Sequence, residues 1–267
     1  MLKLDSKSEE AWIDRGFMLG MLGRFEEALR CFDEALKLNP KNEDAWTGRG
    51  ATLMELSEFK EAVECCDEVL KLNPNSESAW IDRGFMLGML GRFEEALRCF
   101  DEALKLNPKN EDAWTGRGAA LGRLGRFEEA LRCFDEALKL NPKNEDAWTG
   151  RGATLGRLGR FEEALECCDE VLKLNPKSES AWIDRGFMLG MLDRLEEALR
   201  CFDEALKLNP KNEDAWTGRG ATLMELSEFK EAVECFDEAL RLNPENDVAR
   251  ELRRRALELL SRRKNDR

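Results

Sequence analysis

Every tryptophan in this chain lies 34 residues from the next: Trp12, Trp46, Trp80, Trp114, Trp148, Trp182 and Trp216. The prolines keep the same step, from Pro40 through Pro74, Pro108, Pro142, Pro176 and Pro210 to Pro244. A strict period of this length means one supersecondary unit stacked many times, each burying its apolar face against its neighbours. The 267 residues divide into units at 9–42, 43–76, 77–110, 111–144, 145–178, 179–212 and 213–246.

Each unit reads as two helices. Trp12, Gly16, Leu19 and Leu22 recur at helical spacing, Gly23-Arg24 marks a turn, and Phe25, Ala28, Leu29, Phe32, Ala35 and Leu36 form a second stripe. Asn39-Pro40 ends the second helix, because the residue before proline is pushed out of the α region. Ser8, Asn42, Ser76, Asn110, Asn144, Ser178, Asn212 and Asn246 are each followed by Glu or Asp. That is the signature of a capped helix start with acids facing the positive end of the dipole. Residues 1–8 match the end of a unit and read as the remnant of a preceding repeat. Residues 247–267 carry Ala249, Leu252, Ala256, Leu259 and Leu260 on one stripe, which predicts a C-terminal capping helix with a basic tail.

The pattern Trp12, Gly16, Leu19, Ala28, Phe32, Ala35, Pro40 resembles the tetratricopeptide repeat, and it recurs seven times. The resemblance implies an all-α fold, a right-handed superhelical solenoid of stacked antiparallel helix pairs. It also implies that first helices line a concave groove in which a protein or peptide partner is captured. Arg15, Arg49, Arg83, Arg117, Arg151, Arg185 and Arg219 stand where the family more often has an aliphatic residue. We read them as a structural ladder paired with neighbouring carboxylates. The family's Lys and Asn clamp for a terminal carboxylate is missing. Ile13, Asp14 and Phe17, or Thr47, Gly48 and Ala51, stand in its place.

Composition removes other functions. There is no histidine, hence no ordinary general base near neutrality and none of the commonest metal ligand. We expect no enzyme, no cofactor and no metal. The formal charge is −13, split between +5 on residues 248–267 and −18 on the rest, an acidic body that repels nucleic acid and anionic membrane. Neither is expected as a partner. Arg253–Arg255 and Arg262–Lys264 are read as a solvated helix end rather than a phosphate site. Seven of the nine cysteines keep the 34-residue step, and Cys66 and Cys168 directly follow two of these. Equivalent cysteines one repeat apart exceed the ~7 Å disulfide limit, so free thiols and a cytoplasmic location are expected.

The repeats are of two kinds. Units one, three and six carry WIDRGFMLGM, whereas the other four carry WTGRGA. At roughly 100° per residue, Met18 lies on one flank of the Trp12 stripe and Ile13, Phe17 and Met21 on the other. Met86 and Met188 follow units in which Cys66 and Cys168 replace a phenylalanine, so these methionines are expected to fill the space left. The other flank is the candidate binding face. It comprises Ile13, Phe17 and Met21; Thr47 and Ala51; Ile81, Phe85 and Met89; Thr115 and Arg123; Thr149 and Arg157; and Ile183, Phe187 and Met191. Ala119, Ala153, Thr217, Ala221, Glu55 and Glu225 complete the rows. Contiguous exposed apolar surface usually marks a contact site, and close packing of adjacent rows is the competing explanation. The leading functional expectation is a peptide-binding scaffold. The alternative is a self-assembling array, joined end to end or head to tail.

Overall fold

The computed structural model describes residues 8–265. The expected repeat remnant, apart from Ser8, and the last two residues of the expected tail lie outside them. Short polar side chains start the first helix of each repeat. Ser8 accepts a hydrogen bond from the Ala11 N–H at 3.2 Å and Asn42 from that of Ala45 at 2.9 Å. Ser76, Asn110, Asn144, Ser178, Asn212 and Asn246 do the same, as their sequence pattern predicts.

Fifteen helices follow one another among the described residues. The first helices of the repeats are α1 (Glu9–Met21), α3 (Glu43–Glu55), α5 (Glu77–Met89), α7 (Glu111–Arg123), α9 (Glu145–Arg157), α11 (Glu179–Met191) and α13 (Glu213–Glu225). The second helices are α2 (Phe25–Leu38), α4 (Phe59–Leu72), α6 (Phe93–Leu106), α8 (Phe127–Leu140), α10 (Phe161–Leu174), α12 (Leu195–Leu208) and α14 (Phe229–Leu242), and the chain continues into α15 (Asp247–Asn265). Three residues join the two helices of a pair, and one of them lies in the left-handed region. It is glycine at Gly23, Gly91, Gly125 and Gly159, but Ser57, Asp193 and Ser227 adopt φ of 61°, 58° and 61°.

The chain forms two compact units, Met1–Pro142 and Lys143–Arg267. In each, a first helix packs against its own second helix, which packs against the next first helix. In the second unit the series ends with α15 on α14, where Ala249 and Ala256 are fully buried beside Phe236. That is the capping role expected of this helix.

One ring sets the spacing between repeats. Phe32 is buried between Gly16 of its own repeat and Gly48 of the next. A Cβ at these glycines would meet the ring at 2.8 and 2.4 Å. Phe100 stands likewise between Gly84 and Gly116, and Phe202 between Gly186 and Gly218. Where Cys66 and Cys168 replace the phenylalanine, Asp82 and Asp184 replace the second glycine. Four residues further on, Met86 replaces a small Thr or Ala, and its sulfur lies 4.0 Å from that of Cys66. Met86 is buried and Met188 half-buried, as the gap-filling expectation requires. The large ring therefore goes with Gly and Thr or Ala, and the small thiol with Asp and Met. The ring lost at Cys66 and Cys168 is offset by larger side chains on the facing helix.

Polar latches repeat at five junctions within the two units. The Arg49 guanidinium donates to the Asp33 carboxylate of the preceding repeat at 2.9 Å and to the Cys65 sulfur of its own at 3.1 Å. Arg83, Arg117, Arg185 and Arg219 make the same pair of contacts. The expected ladder is thus a set of links between repeats. Trp46 Nε1 donates to the Pro40 carbonyl at 2.9 Å, which ties that loop to the helix after it, and Trp80, Trp114, Trp182 and Trp216 do the same.

Candidate functional site

A residue in an α-helix presents its neighbours three and four positions away on the same side. Phe17 and Met21 are such a pair on α1, Phe85 and Met89 on α5, and Phe187 and Met191 on α11. The structure leaves all six open. The phenylalanines are 44 %, 41 % and 41 % exposed, and Met21, Met89 and Met191 are the most exposed apolar side chains of their helices. Each phenylalanine keeps one edge engaged: Phe17 meets Phe32, Phe85 meets Phe100 and Phe187 meets Phe202, with ring centres 5.2 Å apart in edge-to-face geometry. The ring is thus oriented from within and still offers its outer face.

Gly20, Gly88 and Gly190 lie between each Phe and Met in sequence, and a Cβ at any of them would meet nothing within 4 Å. Gly16 and its equivalents are required by a ring, but these three have no packing reason to be glycine. They leave bare backbone beside the Phe–Met pair, where another chain can approach closely.

The remaining row residues divide. Thr47, Ala51, Ala119, Thr149, Ala153 and Arg157 are exposed. Arg123 is exposed too, but its guanidinium lies over the Phe93 ring, 4.7 Å from the centre. Four expected surface positions are corrected by the structure. Ile13, Ile81 and Ile183 are buried in the cores of their own repeats. Their register borders the Trp stripe, and the branched side chain turns into the core. Thr115 is buried, and its hydroxyl donates to the Glu111 carbonyl at 2.8 Å.

In the first unit, then, the exposed face includes Phe17–Met21 and Phe85–Met89, with the small Thr47 and Ala51 on the helix between them and Ala119 and Arg123 on α7. In the second unit it consists of Phe187–Met191 beside Thr149, Ala153 and Arg157. Two wide depressions lie elsewhere. One of about 670 Å³ lies between second helices α2 and α4, lined by Asp33, Trp46, Arg49, Glu64 and Lys71. Another of about 740 Å³ lies at Asp203, Trp216, Arg219 and Glu238. Sequence periodicity did not mark these clefts. Their charged walls are already engaged in Arg–Asp links, such as Arg49–Asp33 and Arg219–Asp203.

The thiols offer no nucleophile. All nine cysteines are free and buried. Burial, with Asp82 adding to it, pushes the Cys66 thiol up to about 12, and burial with Asp184 does the same at Cys168. A thiol held so far above neutrality carries almost no thiolate. Among the described residues no cluster of three or more His, Cys, Asp or Glu is placed to hold a metal ion. None of their helices is long and apolar enough to cross a membrane.

Comparison with known proteins agrees with this geometry. Three family profiles, each described as tetratricopeptide repeat, match this chain. One covers residues 9–42, 111–144 and 213–246, another 50–115 and 153–217, and a third 133–166. No curated protein matches significantly. Among solved structures, a tetratricopeptide repeat protein from Parabacteroides merdae is 19 % identical, with a TM-score of 0.73 over 93 % of this chain and 98 % of its own. PilW, described as a type IV pilus biogenesis factor, is 20 % identical with a TM-score of 0.73, covering 79 % of this chain and 97 % of its own. YrrB, described as having an unusual peptide-binding site, is 24 % identical with a TM-score of 0.59, covering 72 % and 99 %. At these identities the likeness is one of fold.

Proposed function

Since the chain belongs to the tetratricopeptide repeat family, whose fold generally serves as a non-enzymatic protein-interaction scaffold, we propose that it captures an apolar or amphipathic peptide segment on its first-helix face. The observation that carries this reading is the exposure of Phe17–Met21, Phe85–Met89 and Phe187–Met191 on helices whose other apolar positions are mostly covered. Large exposed apolar side chains in ordered rows cost solubility, and a partner's apolar residues would relieve that cost. A rigid phenylalanine and a pliable methionine suit an anchor pocket that adapts to its ligand.

On the first unit a partner segment would place apolar anchors on Phe17–Met21 and Phe85–Met89 and pass its backbone over Gly20 and Gly88, and the second unit by itself offers Phe187–Met191 beside Gly190. The −18 charge on residues 1–247 would favour basic flanks, mainly by speeding encounter at low salt. The buried free thiols suit a reducing compartment, and we place the protein in the cytoplasm.

Selection from a displayed peptide library tests the reading, with a Phe17→Ala/Phe85→Ala/Phe187→Ala variant of verified fold as the comparison. Peptides with apolar anchors should emerge, and the variant should bind them at least about tenfold more weakly, since burying one Phe contributes about 1.5–3 kcal/mol. Equal binding by both proteins would show that the phenylalanines only pack.

A further inference from the structure

Helices α5 and α11 carry the same run, SAWIDRGFMLGM, and each follows a second helix with the same CCDEV. Their methionines nevertheless lie differently, and the preceding first helix gives the reason. Gly156 on α9 stands where α3 has Met54. A Cβ at Gly156 would meet Met188 Cε at 3.0 Å, so Met188 occupies room that a glycine leaves. Met54 brings a Cβ to the equivalent place. There Met86 lies with its sulfur 4.0 Å from that of Cys66 and is buried, whereas Met188 is half-buried.

Beside the displaced Met188 a cavity of about 40 Å³ opens, lined also by Trp148, Thr149, Ala153, Val171 and Asp184. A water-sized group needs about 10–15 Å³ of such space, so a small head group and the end of its stem fit. Thr149 and Ala153 belong to the exposed first-helix face. Asp184 is three residues before Phe187 and on the same side of α11.

Asp184 sets the chemistry. Among the described residues it has no hydrogen bond and no ion pair, and burial raises its carboxyl above the ordinary 3.8. The adjacent Arg185 is turned to Asp169 at 2.8 Å and to the Cys201 sulfur at 3.1 Å. Asp184 lies past the first turn of α11, so the helix dipole does not offset its desolvation. Packing alone does not call for an acid here, since the junctions at Phe32 and Phe100 have glycine in its place. The side chain stays exposed on its outer side, within reach of an incoming cation. A single carboxylate beside a narrow, mostly apolar space suits a compact ammonium on an aliphatic stem better than a planar guanidinium.

Resting on the capture of a peptide by this face, we propose that the cavity is a lysine pocket of the second unit. It takes the side chain of a lysine that neighbours the partner's apolar anchor on Phe187–Met191.

The test uses the full chain with methyl-labelled methionine, titrated with n-butylammonium and separately with n-butanol, which has a similar shape and no charge. Butylammonium should shift the Met188 methyl saturably and leave the buried Met86 fixed. Asp184→Asn should weaken that binding at least about tenfold, as expected for one charge-assisted hydrogen bond. Gly156→Met keeps Asp184, restores the residue found on α3 and should close the pocket. No response to butylammonium at high-millimolar concentration would overturn the proposal. An equal response to butanol, or an unchanged one in Asp184→Asn or Gly156→Met, would do the same. Library peptides that depend on Phe187 should carry lysine and lose about tenfold in affinity to Asp184→Asn. Phe187-dependent peptides without lysine would overturn the pocket and leave the apolar face standing. Amine binding without any Phe187-dependent peptide would overturn peptide capture on this unit, and the lysine with it.

Discussion

At the scale of single residues, the junction between repeats behaves as a matched set. Cys66→Phe places a ring against Asp82 and Met86, and the exclusion seen at Gly48 applies. The single substitution should lower stability by about 1–3 kcal/mol. Adding Asp82→Gly and Met86→Thr, the residues found opposite Phe32, should recover most of the loss. A melting series of the single and triple variants checks this, and a stable single variant would refute the matching. The thiol-to-methionine half of the pairing was legible from sequence, because the chain serves as its own alignment. The glycine-to-aspartate half was equally present, sixteen residues after each Phe or Cys, but its meaning needed the ring's position. Burial also raises the Asp82 carboxyl above its ordinary 3.8. An acid raised on folding favours the folded state fully below its ordinary value, and this contribution is lost as pH rises through the raised one. Asp82→Asn carries no charge at any pH. Its melting temperature should therefore gain on that of the parent between about pH 3 and about pH 7. A constant difference would mean that Asp82 is not desolvated.

Helices and their turns are the scale at which sequence reading was most secure. Every first helix begins at the predicted cap, because a side-chain oxygen aimed at the third N–H needs only local geometry. Side-chain direction was harder to read. Ile13, Ile81 and Ile183 sit at an angle on the border between core and surface, and only packing decided it. Thr115 was assigned to the surface with Thr47, but it is buried where Thr47 is exposed. No angular argument separates these two equivalent residues. The turn between paired helices offers a direct test. Asp193 adopts φ 58° where four other repeats use glycine. The left-handed conformation costs a side-chain-bearing residue roughly 1–2 kcal/mol, less for Asp, and glycine returns part of this gain as chain entropy. Asp193→Gly should raise the melting temperature by a degree or more, and a lower value would show that the carboxylate has a use there.

On the scale of the whole molecule, the period alone fixed the architecture. Thirty-four residues hold two helices and two short turns, and neither helix can bury its stripe without a neighbour. The same logic makes the order of units part of the design, since every Phe-bearing second helix that is followed by a further repeat is followed by a glycine-bearing one. What the period could not show was which apolar rows stay open once the units stack. The exposed Phe–Met pairs, held from beneath by Phe32, Phe100 and Phe202, became visible only with burial in hand. They are the basis for regarding the protein as a scaffold with a binding face. The most direct test is a titration of the methyl-labelled chain with a peptide recovered from the library selection. Met21, Met89 and Met191 should shift with the peptide while the buried Met86 stays fixed. Shifts confined to other methionines, or none during saturable binding, would contradict the account.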